Sequence, residues 1–452
     1  MNTAQFLEEL SADAESHITL LQKLIQAPSP NPPGNTAAAA EVLRSYLWDH
    51  GIETEVIAPD GPEKPNFVAD FAVGGTSSSS SSEPAPPPQR IILNGHLDVF
   101  PVDATQDAQW KHGGPWSGHF DGTYVHGRGA VDMKAGAAAS VIAFAHLFRH
   151  RARLTRQGSS VALTVVSDEE TGGKFGSRFL LERDGGAGGG RWKGDVMVNA
   201  EPGGLQSIRF GEKGTLRITF TVAALGVHGA YTHRSEGAVR IAARLIGRLV
   251  ETVQAIVPEW DEDVRRHLER KDVRRVIDEI MGRGASESVT TPTVNIGTIR
   301  GGVKVNMIPD RCVFEADIRL PIGLTKEVVL ESIDALLRAE FPASASYAVQ
   351  EAASNPASHC SPTHEMVTAL ANAAERVTGR KPLAIPSLGA TDAKFWRYHG
   401  VPAYVYGVGP ETMAAAVDER VSVDEFLRVV RTHALAVWTY LGGDGNGGGG
   451  TG

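Results

Sequence analysis

The sequence predicts a two-part α/β protein: a mostly parallel central sheet flanked by helices, interrupted by an inserted ferredoxin-like α+β domain. Three observations predict it. The chain's 452 residues exceed what one ordinary core holds. Short β-branched runs at Ile91–Leu93, Ser160–Val166 and Asp195–Val198 each stop at His or acidic residues, as strands of open parallel sheets do at their C-terminal ends. Between 212 and 353 the pattern becomes strand-helix-strand-strand-helix-strand, the ferredoxin-like order.

Taken in order, apolar residues from Phe6 to Ile25 recur at helical spacing and stop at the Pro-rich APSPNPPG turn. A second helix is expected over Thr36–His50, then strands near Glu53–Ile57 and Asn66–Val73. The Ser- and Pro-rich stretch 74–88 buries nothing apolar and is expected to be a flexible loop between strands. Small residues from Lys134 to Arg149 suit a packed helix. In the insert, Leu216–Ala223 alternates as a half-buried strand. Gly237–Val253 places Ile241, Leu245, Ile246, Leu249 and Val253 on one helical face. A charged helical excursion (258–282), strands at Thr293–Ile299 and Cys312–Leu320, a helix over Thr325–Glu340 and a strand near Ser346–Gln350 complete it. The first domain resumes with helix Thr363–Thr378, strand Ala403–Tyr406 and helix Val423–Leu441. The expected division is 1–211 with 354–441, an insert over 212–353, and a disordered Gly-rich tail over 442–452.

Composition excludes several roles. A net charge of −9 without a basic block argues against nucleic-acid or anionic-membrane surfaces. Two cysteines, Cys312 and Cys360, make no disulfide framework and lack metal spacing. The acidic N-terminus has no signal pattern and no apolar run reaches spanning length, so a cytoplasmic protein is expected. No Gly-rich segment has the P-loop spacing.

The chemistry concentrates between Asn94 and Lys134. His96 and Asp98 lie two apart at a strand end and so share a face; Asp132 follows the Gly127-Arg128-Gly129 turn at a loop-helix junction. Alone, His-x-Asp reads as a surface pair at a strand end. Glu169 and Glu170 follow the second strand and Glu201 the third, and three such endings in one chain point to a site. The words HLDVFP and GRGAVDMKAG resemble the metal-binding core of the acetylornithine deacetylase, succinyl-diaminopimelate desuccinylase, aminoacylase and glutamate carboxypeptidase family. Those are metallohydrolases that usually carry two zinc ions, and the likeness extends over nearly the whole chain.

The resemblance implies roles. His96 would bind one metal, Asp132 would bridge two, Glu201 would complete the first site, and Glu170 would ligate while Glu169 acts as general base. Asp98 would orient His96 through its far nitrogen. The assignment is chemically coherent, because adjacent acids cannot both face one ion and one is left to move a proton. His228, in GVHGAYTH, with His233 as the alternative in the same segment, resembles the family histidine that reaches the substrate carbonyl or oxyanion across a dimer. Asn306, Arg319, Gly389 and Thr391 resemble substrate contacts, and Arg397 follows them as a second carboxylate contact. For Arg319 the competing reading is an ion pair with Asp317; for Arg397 it is a surface residue.

One departure matters. Where the family pattern His-x-x-Asp/Asn-Glu supplies a ligand to the second metal, this chain has Ala415 before Asp418-Glu419. One strong Zn2+ site is expected, with Co2+ or Mn2+ as alternatives and the second site weak, empty or served by another imidazole (His359, His364, His399 or His433). The resulting expectation is a zinc-dependent amidohydrolase for an N-acyl amino acid or small peptide bearing a carboxylate, dimeric through an inserted lid. Two rivals stay open: a redirected member running non-hydrolytic C–N chemistry such as condensation, and a catalytically dead binding protein.

Overall fold

The computed structural model describes residues 1–74, 87–184, 190–409 and 416–443. Most of the expected 74–88 loop and 442–452 tail lies outside the described residues, as does Ala415. The chain divides into two compact units. Met1–Phe210, Cys360–Ile385 and Thr391–Gly452 make the first; Gly211–His359 and Pro386–Ala390 make the second.

In the first unit, the expected single N-terminal helix is two, α1 (Thr3–Ala12) and α2 (Ala14–Ile25). Asp13 closes one and opens the next; acidic residues of this kind suit helix boundaries better than interiors. A capping box between Asn2 and Gln5 starts α1. Then come α3 (Ala37–Asp49), β1 (Glu55–Ile57), β2 (Asn66–Ala72) and β3 (Arg90–His96). A small hairpin, β4 (His119–Phe120) and β5 (Tyr124–His126), precedes α4 (Ala135–Arg149); β6 (Ser160–Val166), α5 (Ser177–Glu182), β7 (Val196–Asn199) and β8 (Ser207–Glu212) follow.

Helix α4 is almost wholly buried, because its small residues allow close approach to the sheet. A Cβ on Gly95 would lie 2.9 Å from Ala137 Cα, and one on Gly136 would run into the Ala200 carbonyl oxygen. Both glycines are therefore required where helix and strand ends meet. By length and composition the Ala130–Arg149 segment would suit a membrane, but 89% of its apolar window is buried inside the protein.

The second unit contains β9 (Gly214–Ala223), β10 (Val227–His228), α6 (Ala238–Gln254), α7 (Glu262–Leu268), α8 (Lys271–Met281), α9 (Ala285–Ser288), β11 (Thr293–Gly301), β12 (Met307–Ile308), β13 (Arg311–Leu320), α10 (Lys326–Glu340), β14 (Ala345–Val349) and β15 (Ser358–His359). Its antiparallel sheet runs β11-β13-β9-β14, the ferredoxin-like arrangement. Leu216, Ile218 and Phe220 from β9 and Phe314 and Ile318 from β13 pack with Leu245 and Leu249 of α6 and Ile333 of α10. The predicted α6 stripe is the buried one, except that Ile246 is only partly covered.

The chain continues through α11 (Glu365–Thr378), β16 (Leu383–Ser387), α12 (Ala393–Tyr398), β17 (Ala403–Val405), β18 (Arg420–Ser422) and α13 (Val423–Tyr440). In the first unit the main sheet runs β1-β2-β6-β3-β7-β17-β8. Strands β6, β3, β7 and β17 are mutually parallel, with antiparallel neighbours on either side. The three strands whose ends carry the His and acids, β6, β3 and β7, are thus adjacent. Their C-terminal ends open on one edge, where an α/β sheet places its chemistry.

Candidate metal centre

A polar ladder runs across those strand ends. Asn94 on β3 donates to Thr164 Oγ1 on β6 at 3.0 Å, and Asn199 on β7 donates to Asn94 Oδ1 at 2.8 Å. Asn199 Oδ1 then accepts from the Glu201 backbone at 2.7 Å. These amides are buried and satisfied, so the ends of β3 and β7 are held in register where His96 and Glu201 emerge. Nothing in the local sequence marks Asn94 or Asn199 as more than strand residues.

His96 Nε2 lies 3.3 Å from Asp132 Oδ1 and 3.2 Å from Glu201 Oε1. Two donor groups share His96: one with Asp132 and Glu170, the other with Glu169 and Glu201. Glu169 and Glu170, adjacent in sequence, thus belong to different groups. His96 Nδ1 faces the Asp98 backbone oxygen at 2.9 Å, and the Asp98 carboxylate is farther, at 3.4 Å. The expected carboxylate-to-ring orientation is therefore made chiefly by a main-chain carbonyl. The Asp98 side chain instead holds the two adjacent acids. Its Oδ1 accepts from Glu169 N and its Oδ2 from Glu170 N, each at 3.1 Å, and Asn31 Nδ2 donates to Oδ2 at 2.9 Å.

These residues fit a divalent cation. His96 Nε2 and Glu170 Oε1 are buried without a hydrogen-bond partner, which is costly unless an ion takes their lone pairs. Donors around one tetrahedral ion with bonds near 2.0–2.1 Å lie about 3.3 Å apart, close to the His96–Asp132 and His96–Glu201 spacings. Burial, then the Asp132 charge, pushes Glu170 up to about 10 and Glu201 up to about 7. Burial opposes protonation of His96, but Glu201, Asp132 and Asp98 push it well above the usual imidazole range. Glu169 is raised by burial, opposed by Lys394, whose Nζ lies 3.8 Å away. The cluster is thus short of positive charge. Nothing in the sequence singles out Lys394 except that it follows the Gly389–Thr391 segment likened to substrate contacts.

The other candidates fall in different places. In the second unit, His228 is exposed on β10 opposite Met307, and Gly229 N donates to Asn306 O at 2.8 Å, so His228 and Asn306 are neighbours. Arg319 pairs with Asp317 through Nε at 2.9 Å and also donates to Thr215 Oγ1. Gly389 groups with the second unit; Thr391 belongs to the first, where its carbonyl accepts from Lys394. Arg397 is not at the surface. It is buried, and its guanidinium donates to the Ala403 and Arg209 carbonyls, bracing β17. Among the imidazoles considered for a second metal, His364 accepts from Met366 N, and His399 and His433 bond to the Phe395 and Tyr406 carbonyls. None of these, nor His359, joins either donor group.

An α/β sheet whose adjacent strand ends gather one imidazole and four carboxylates, joined to a ferredoxin-like insert, defines a metallohydrolase of amide and peptide bonds. The chain belongs to Peptidase family M20/M25/M40, whose profile matches residues 92–439. It is 29% identical over 428 residues to a succinyl-diaminopimelate desuccinylase of Methylobacterium sp. (strain 4-46), covering 92% of this chain and 93% of that one. It is 28% identical to the desuccinylase of Methylocella silvestris, covering 95% and 99%. The fold matches an M20 metallo-carboxypeptidase from Sulfolobus solfataricus with a TM-score of 0.72 at 20% identity, over 94% of this chain and 99% of that one. It also matches a dinuclear metal-binding M20 peptidase of Bacillus subtilis, with a TM-score of 0.60 at 16% identity over 95% and 99%.

Proposed function

We propose that the protein is a zinc-dependent amidohydrolase that cleaves the amide of an N-acyl amino acid or small peptide bearing a carboxylate. The observation that carries this reading is that Glu169 and Glu170 fall in different donor groups around His96, with both backbone amides held by Asp98. His96, Asp132 and Glu201 would hold one ion, and Glu170 with Asp132 would face a second. An ion bound there supplies Lewis acidity to the amide carbonyl and to water.

Glu169 takes the proton from the attacking water and delivers it to the departing amine. Asp98 keeps the Glu169 and Glu170 backbone in place while this happens. Lys394, with Nζ 3.8 Å from Glu169, balances its charge. His228 and Asn306, adjacent in the second unit, are the candidates for the substrate carbonyl, and Arg319, Gly389 and Thr391 for its remaining contacts. Arg319 would have to leave Asp317 to bind a carboxylate, so its structural pairing competes with that role.

A cytoplasmic homodimer through the second unit accompanies this reading. Strand β11 is an edge of its sheet, and Ile299 on it, Val303 and Val305 just after it and Met307 on β12 are exposed. An apolar edge of this kind suits pairing with a second copy.

The redirected reading rests on one observation, Ala415 in place of the family histidine. The test is turnover on a panel of N-acyl amino acids and dipeptides, before and after chelation and with Zn2+, Co2+ or Mn2+ restored. Metal-dependent cleavage, lost in Glu169→Gln with metal retained, supports hydrolysis. Activity that survives chelation or the Glu169 change rules it out, and a metal-loaded protein inert on the whole panel favours the redirected reading.

A further inference from the structure

The APSPNPPG stretch reads in the sequence as a stop for α2, and in the fold its middle has a further use. Ser29–Asn31 runs beside the chain that leaves β3. Val99 N donates to Ser29 O at 3.0 Å, Asn31 N to Val99 O at 2.9 Å, and Ser29 Oγ to Leu97 O at 2.6 Å. Asn31 is thereby fixed to the segment that carries Asp98, and both residues are buried.

The Asn31 amide has two hydrogens to give, and both have acceptors. Nδ2 lies 2.9 Å from Asp98 Oδ2 and 3.0 Å from Thr171 Oγ1. Asp98 in turn accepts from Glu169 N and Glu170 N. The two side chains together reach Glu169, Glu170 and Thr171, which make up one short 3-10 turn. The hydrogen bonds inside such a turn have poor geometry, so bonds from outside set its direction.

The surrounding turn is shaped to this amide. Gly34 N donates to Pro30 O at 2.8 Å, and Gly34 has a φ of 85°. A Cβ there would lie 2.8 Å from Asn31 Oδ1. Glycine is what lets the backbone pass so close.

We propose that Asn31 is a positioning residue, which acts through Asp98 and Thr171 to hold the turn that aims Glu169 and Glu170. The inference rests on the reading of Glu169 as base and Glu170 as ligand. Without the Asn31 amide, Asp98 Oδ2 loses a donor and Thr171 loses its tie to the turn's far end. Both acids keep their own side chains, so any effect on them passes through the main chain.

The test is a double-mutant cycle on Zn2+ affinity, read by competition with a chelator in the intact protein. Asn31→Ala should bind Zn2+ about 10-fold more weakly, the low end for outer partners of metal ligands. Added to Asp98→Asn, it should cost less than about threefold more, because residues in one network lose a shared interaction only once. A further loss of about 10-fold in the combined variant, or no loss in Asn31→Ala alone, would overturn the proposal. Thr171 reads the same amide from an exposed position. Thr171→Val should weaken Zn2+ binding and lower kcat with little change in KM, while Thr171→Ser, which keeps the acceptor, should match the unmodified protein. Equal behaviour of the valine and serine variants counts against the proposal whether or not Asn31→Ala folds. The affinity cycle needs no substrate, so it still decides the matter in a chain inert on amides; an active amidohydrolase with an additive cycle removes Asn31 alone.

Discussion

Glu419 grips the turn that carries Asp132. Its Oε1 accepts from Val131 N at 2.8 Å and Asp132 N at 3.3 Å, and its Oε2 from Gly129 N at 3.1 Å and Arg128 Nη1 at 2.7 Å. Burial raises the Glu419 carboxyl, and Arg128 with the Val131 and Gly129 amides opposes that rise. Four donors converge on one carboxylate, so Glu419→Gln turns an NH2 group toward donors that need an acceptor. Metal affinity is expected to fall about 10–100-fold, as for outer partners of metal ligands. Competition with a chelator measures it, and an unchanged affinity would show that the turn holds without the charge.

A second prediction concerns Asp98. Its two oxygens accept from consecutive amides, Glu169 N and Glu170 N, which asparagine cannot do with both ends. Asp98→Asn should loosen both acids at once. The expected outcome is roughly 10–100-fold weaker metal binding together with a lower kcat. A variant that lost metal affinity but kept full kcat at saturating metal would confine Asp98 to ligand support and refute its hold on Glu169.

The strand ends are legible in the sequence because period and composition mark Ile91–Leu93, Ser160–Val166 and Asp195–Val198 as buried, and strands of this kind in an open sheet share a direction. The ferredoxin-like insert is legible because alternation and helical stripes switch in the right order. What escapes a sequence reading are relationships made by folding. Glu419 meets Arg128 across 291 residues, and nothing local to Asp418-Glu419 says which turn it holds. Arg397 reads from sequence as a carboxylate contact or a surface residue, and the fold buries it with its guanidinium donating to the Ala403 carbonyl. Lys394, nearer the Gly389–Thr391 segment, is the residue that faces Glu169, and nothing in the sequence favours it over Arg397. The Arg319–Asp317 pair is foreseeable, since residues two apart on a strand share a face.

Ala415 provides a third prediction from the sequence alone. An alanine methyl cannot ligate, so Ala415→His restores the family pattern before Asp418-Glu419. Elemental analysis should find one more zinc per chain in the variant. An unchanged count would mean that the second position is already filled by other ligands.

The last prediction follows from His433, which is fully buried on α13 with Nε2 2.7 Å from the Tyr406 carbonyl. Burial lowers it from 6.5 to about 4, so the folded protein keeps the ring neutral. Between those values the unfolded chain takes up a proton that the folded chain refuses. The stabilisation is complete above about pH 6.5 and drains away as pH falls toward 4, by about 3 kcal/mol in all. His17 and His146, likewise buried and lowered to about 4, add to the same trend. Urea unfolding at pH 7.5 and pH 5.0 should therefore show a marked loss of stability at the lower value. His433→Gln keeps an N–H for the Tyr406 carbonyl but cannot titrate, so its loss between the two pH values should be smaller by about 2 kcal/mol, or 1.36 kcal/mol for each of the 1.5 pH units between 6.5 and 5.0. Parallel losses in the two proteins would mean that His433 is protonated in the folded state as readily as in the unfolded one.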